Sequence, residues 1–106
     1  MAREPHEHYQ TLKGRHQGVV AAVEALRDAA QAAGPLDKKT LHLIQLAASA
    51  AIMSHGSAHS HTIRALEAGA TPDEIRHAVL VLVSTIGFPS TAAALSWVDD
   101  VLERGY

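Results

Sequence analysis

Apolar residues recur along the chain at steps of three and four, and this spacing predicts helices throughout. The first run begins near Pro5, a residue tolerated in a first helical turn. It carries Tyr9, Leu12, Val19, Val23, Leu26 and Ala30 on one stripe. His16 falls in the same stripe. It fits a stripe edge or a helix–helix contact, or else a histidine directed at a site or a subunit interface. The segment "AAGPLDKKT" ends this helix and starts the next: Gly34 suits the position after a helix end, and Asp37 can cap the new one. The second helix, over about residues 37–53, has Leu41, Ile44, Ala48 and Ala51 on one face and His42, Gln45, Ser49 and Met53 along another.

The segment "EAGATPDEIRHAVL" holds the strongest local signal. Gly69 ends a helix; Thr71, Pro72 and then Glu74, three residues after the threonine, form a capping box. A helix over about residues 72–86 follows, with Ile75, Val79, Leu82 and Ile86 on its core face. "GFPS" stops it, and a last helix over about 89–103 carries Ala94, Leu95, Val98, Val101 and Leu102. "AVLVLVSTI" is β-prone by composition, but the capping box before it argues for helix. The pattern predicts an all-α bundle of about five main helices: an N-terminal helix over 1–35 and a helical domain over 36–106, together one compact domain.

Composition adds an expectation about assembly. At 106 residues and 47% apolar content, much of it alanine, a monomer buries only a moderate core. Small side chains let helices approach closely, within a subunit or between subunits, so a homo-oligomer is expected. The net charge of −2 favours neither nucleic acid nor an anionic membrane. Eight histidines and a pI near 6.4 mean that charge changes sharply around neutral pH. "MAREPHEHYQ" has no apolar core of a secretory signal, and the apolar runs are too short and broken for a membrane span. The cytoplasm is the expected location.

The chain has no cysteine. Disulfides, thiol peroxidase activity and cysteine-ligated zinc are therefore excluded. The densest chemistry lies in "SHGSAHSH", residues 54–61. On a helix turning about 100° per residue, Ser54, Ser57, His61 and Ala65 share one sector. His55, His59 and Leu66 share another, roughly opposite. The cluster is thus two half-sites. His55 and His59, four residues apart, can clamp one metal ion. A third ligand would come from His77, His42, His6, His8 or another subunit. On the other face His61 could accept the Ser57 proton; alternatively, Ser54 or Ser57 caps the helix and His61 packs against the second helix. There is no nucleophile elbow, Gly-rich phosphate loop or suggestive pair of carboxylates, and Asp99 and Asp100 read as the solvated face of the last helix.

The segment "LDKKTLHLIQLAASAAIMSHGSAHSHTIRALEAGATPDEIRHAVLVLVSTIGFPSTAAALSWVDDVL", about residues 36–102, resembles the carboxymuconolactone decarboxylase / alkylhydroperoxidase-D-like family. Its most specific part is "HTIRALEAGATPDEIRHAV". Redox members carry CxxCxxxH here, with the cysteines at a helix start where the dipole stabilises a thiolate. By this resemblance the cysteine positions are Ser54 and Ser57, the histidine is His61, and a glutamate on the preceding helix corresponds to His42. A serine hydroxyl cannot cycle through sulfenic acid or disulfide, so the thiol chemistry is excluded here.

The resemblance implies an all-α fold, assembly as a homo-trimer or homo-hexamer, and a pocket near subunit contacts. It brings His42 and His61 near one another. Such a pair can transfer protons at neutral pH or begin a metal site. The decarboxylase branch removes carbon dioxide from a lactone carboxylic acid and needs a cation for the carboxylate; Arg64 and Arg76 fit that role or a solvated helix face. The resulting expectation is a thiol-free site of His42, Ser54, Ser57 and His61, acting by proton transfer or decarboxylation on a small organic acid or lactone, with no cofactor required. The alternatives are a transition metal (zinc, nickel or similar) held by His55 and His59 or by His42 and His61, and a non-catalytic oligomer that binds a small molecule.

Overall fold

The computed structural model describes the backbone of residues 5–105 and the side chains of residues 7–105. Seven helices form among them, and no strand: α1 (Pro5–Arg15), α2 (Gln17–Ala32), α3 (Lys38–Ala51), α4 (His55–Glu67), α5 (Pro72–Leu80), α6 (Val83–Ile86) and α7 (Phe88–Arg104). The contacts divide the chain into two compact units, one ending at Asp37 and one starting at Lys38.

In the first unit the expected single helix is broken. His16 leaves the helical region (φ −130°, ψ 54°) between α1 and α2. Gly14 and Gly18 flank it and weaken helix on both sides. The chain then folds back: the Tyr9 hydroxyl donates to Glu24 Oε2 at 3.0 Å, and Lys13 lies 3.7 Å from the same oxygen. In one straight helix residues 9 and 24 would stand about 22 Å apart. The apolar stripe is largely open, with Val19 67% and Leu26 70% exposed. Gly34 follows the end of α2, but it does not adopt the left-handed backbone expected of it.

In the second unit α4 packs against both α3 and α7, and α5 against α3 and α7. Leu46, Ala50, Ala58, Ala65, Ala70, Ile75, Val79, Ala94 and Val98 form the core, with Leu43, Leu66, Leu82, Leu95, Trp97 and Leu102 against its edge. Five of the nine core residues are alanines, so the helix backbones approach closely. Packing decides which face of α3 turns inward. Its inward face is His42, Leu46, Ser49 and Ala50, whereas Ile44, Ala48 and Ala51 face outward. Alanine on nearly every side left periodicity little with which to choose a face.

The capping box forms as expected. Thr71 Oγ1 accepts from the Glu74 amide at 3.1 Å, and Glu74 Oε1 accepts from the Thr71 amide at 2.9 Å. The helix it starts is shorter than the predicted 72–86 span. It ends at Leu80, and Val81 and Leu82 form a turn before α6. The β-branched run Val79, Val81, Val83 costs side-chain freedom in a continuous helix. The last helix falls where predicted, with Ala94, Val98 and Val101 buried.

Both α3 and α4 end in a Schellman turn. At α4 the Ala70 amide donates to the Ala65 carbonyl and Gly69 to Leu66, with Gly69 at φ 98°. At α3 the Ser54 amide donates to the Ser49 carbonyl and Met53 to Ala50. The left-handed residue here is Met53, at φ 57°. A side chain in that region is strained by roughly 1–2 kcal/mol, and the strained turn sets the start of α4, where the polar cluster lies.

Candidate active site on the two faces of α4

Helix α4 presents its polar residues to two neighbours, as the sequence pattern anticipates. Toward α3, Ser57 Oγ lies 2.6 Å from Ser49 Oγ. Ser49 gives its hydroxyl proton to the Gln45 carbonyl at 2.8 Å. A serine has one such proton, so Ser57 is the donor between the two hydroxyls and its lone pairs remain as acceptors. One turn further along α4, His61 faces His42 of α3 with ring centroids 5.7 Å apart and planes tilted by 32°. His42 is buried and His61 half-buried. Arg64, also half-buried, falls two turns after Ser57 and so on the same sector. The buried Gln45 Oε1 has no hydrogen-bond partner among the described residues, and it adds an acceptor to this polar layer.

Ser54 occupies the N-cap of α4 with extended backbone (φ −92°, ψ 90°), but its side chain makes no capping hydrogen bond. Nor does Ser57 act as a cap, since it lies inside the first turn and bonds across to α3.

Toward α7, His55 Nε2 and His59 Nε2 are 3.1 Å apart. Asp100 Oδ2 lies 3.6 Å from His59 Nε2, and the ligand atoms of the three residues all lie within 4.8 Å of one another. Trp97 stacks on the His55 ring, with centroids 5.0 Å apart and planes 21° apart. His59 is buried, His55 exposed and Asp100 half-buried.

A sequence model of the carboxymuconolactone decarboxylase family matches residues 17–100. The chain belongs to the carboxymuconolactone decarboxylase family. No curated protein and no solved structure matches it.

Within this family member the residues singled out by sequence fall into two groups. His42, Ser57 and His61 lie along the α3–α4 contact, with Ser54 at the turn that enters it. His55 and His59 lie on the α4–α7 side. Ser49 and Asp100 were missed as site residues. Ser49 was visible as a polar residue on the His42 face, but alanine neighbours hid that this face is the inner one. Asp100 was read as solvated; it is brought beside His59 by the packing of α7 on α4. Asp99 is likewise engaged, accepting from Arg76 Nε at 2.9 Å, which ties α5 to α7. His8 and His16, on the N-terminal helices, and His77, on α5, are exposed, while the side chain of His6 lies outside the described residues.

Proposed function

We propose that the protein is a thiol-free carboxymuconolactone decarboxylase-type enzyme that moves a proton on a small organic acid or lactone. The observation that supports this most is the facing pair His42 and His61, with ring centroids 5.7 Å apart, at the positions where the resemblance to redox relatives puts the acid and the histidine. One neutral and one charged imidazole can relay a proton near neutral pH. His61, the more accessible of the two, is the general acid/base, and buried His42 is its partner. Ser54 and Ser57 share a sector of α4 with His61; Ser57, whose proton goes to Ser49, offers acceptor lone pairs to a substrate hydroxyl or acid proton.

In a decarboxylation the bond to the carboxylate carbon breaks, and its electron pair stays on the substrate while carbon dioxide leaves. His61 then delivers a proton to the substrate carbon that kept the electron pair, and is reprotonated from solvent. Arg64 is the cation assigned to the carboxylate before it departs. Arg76, whose guanidinium is bound to Asp99, lies farther along the chain from the polar cluster than Arg64 and is the second candidate. This chemistry requires no cofactor.

The active form is a homo-trimer or homo-hexamer in the cytoplasm, with no nucleic-acid or membrane partner. Outward apolar side chains support the assembly: Ile44, Ile52, Leu80 and Phe88 are all at least half exposed in the single chain. No helix among the described residues is long and apolar enough to cross a membrane.

The test is a panel of small lactone carboxylic acids, read by carbon dioxide release and by solvent deuterium incorporation. His61→Ala should abolish turnover while light scattering shows the same oligomer. Turnover equal to the parent in that variant overturns the assignment.

A further inference from the structure

We propose that His55, His59 and Asp100 bind one divalent late transition-metal ion, of the zinc, nickel or copper type, between α4 and α7. The site is separate from the His42–His61 pair and stands whether or not that pair is catalytic.

The argument begins with the lone pairs. One ligand atom from each of His55, His59 and Asp100 lies within 4.8 Å of the other two, and the His59 ring is buried. A proton bridges two such atoms; a metal cation satisfies all three. The distances suit it. Ligands about 2.0–2.2 Å from a tetrahedral ion stand about 3.3 Å from one another. The histidine nitrogens are 3.1 Å apart, and the carboxylate oxygen is 3.6 Å from His59.

The site is also built rather than incidental. The helical spacing of four residues aims both imidazoles the same way, and Trp97 stacks on His55 and fixes its ring plane. Asp100, on the same helix as Trp97, closes the site from α7. Two imidazoles and one carboxylate form a donor set that late divalent metals prefer over magnesium or calcium. Three protein ligands leave a fourth position for water, and solvent reaches it past exposed His55.

Trp97 is the only tryptophan of the chain, so it reports on this site alone. Protein purified without an affinity tag is titrated with cobalt(II) chloride, which zinc outcompetes at such a site. One equivalent should quench Trp97 fluorescence, and zinc chloride should displace the quencher and restore the signal. His55→Ala and Asp100→Asn should each weaken binding by at least roughly tenfold, since loss of even an outer-sphere partner can do as much. His42→Gln should leave quenching and stoichiometry unchanged. The quenching in the parent protein needs no variant and stands even if a substitution impairs folding. Absence of quenching at saturation, unchanged affinity in a folded His55→Ala or Asp100→Asn protein, or loss of the ion in His42→Gln overturns the proposal.

Discussion

Ser57 donates its hydroxyl proton to Ser49 across the α3–α4 contact at 2.6 Å, because the Ser49 proton is already given to the Gln45 carbonyl. The two serines therefore act as one unit that locks the helices on either side of the histidine pair. A double-mutant cycle of Ser49→Ala and Ser57→Ala, followed by urea unfolding, should give a coupling of about 0.5–1.5 kcal/mol. Strict additivity would mean that the bond contributes nothing.

The α3 helix offers a sharper contrast. Leu46 is fully buried, while Ile44 is half exposed on the other face. Leu46→Ala should cost about 2–5 kcal/mol. Ile44→Lys should leave helicity and the monomer fold intact and reduce the oligomer mass seen by light scattering. Equal destabilisation by the two substitutions would contradict the assigned inner face.

The left-handed residues predict opposite responses. Met53, at φ 57°, should tolerate glycine with a gain of up to about 1 kcal/mol, because the side chain there is strained. Gly69, at φ 98°, should lose about 1 kcal/mol or more on conversion to alanine, although nothing crowds the new methyl group. Thermal melts of the two variants should shift in opposite directions.

Glu74 predicts a pH dependence. Its carboxyl is held below the usual glutamate range, first by the Thr71 backbone hydrogen bond and then by the Lys39 side chain, whose ammonium is 3.1 Å away. With a depressed folded-state value, the contribution to stability is fully present above the unfolded value of about 4.3. It is lost as pH falls through the lower folded value. Melting curves of the parent and Glu74→Gln proteins should therefore converge as pH drops below that range. A gap that persists at the acid end would remove Glu74 as its cause.

Metal loading should change stability as well as fluorescence. An ion held by α4 and α7 binds only the folded chain, so zinc at about 100 times its dissociation constant should add about 2.7 kcal/mol. Chelation should return the melting temperature to its starting value and leave the proton-transfer chemistry unaffected. Activity lost with the ion would show that the two faces of α4 are not independent.

Much of this protein was legible because its signals are local. The capping box needs only Thr71 and Glu74, three residues apart, and it formed as read. The division of "SHGSAHSH" into two faces follows from helical rotation, and the α3 and α7 sides of α4 receive the two sets as that rotation requires. The break at His16 was not read, because a stripe continuous in sequence hides a reversal that Tyr9 and Glu24 reveal only once folded.

By itself, then, the sequence determined the helical class, the caps and the sorting of side chains around each helix, since backbone geometry and neighbouring residues suffice for these. It also excluded thiol chemistry, because no cysteine is present. Only tertiary packing decided which face of the alanine-rich α3 turned inward, and that choice buried His42 beside His61. Packing alone also carried Asp100 to His59 and Trp97 to His55. No local spacing encodes those meetings; they arise where small side chains let α4 and α7 come close.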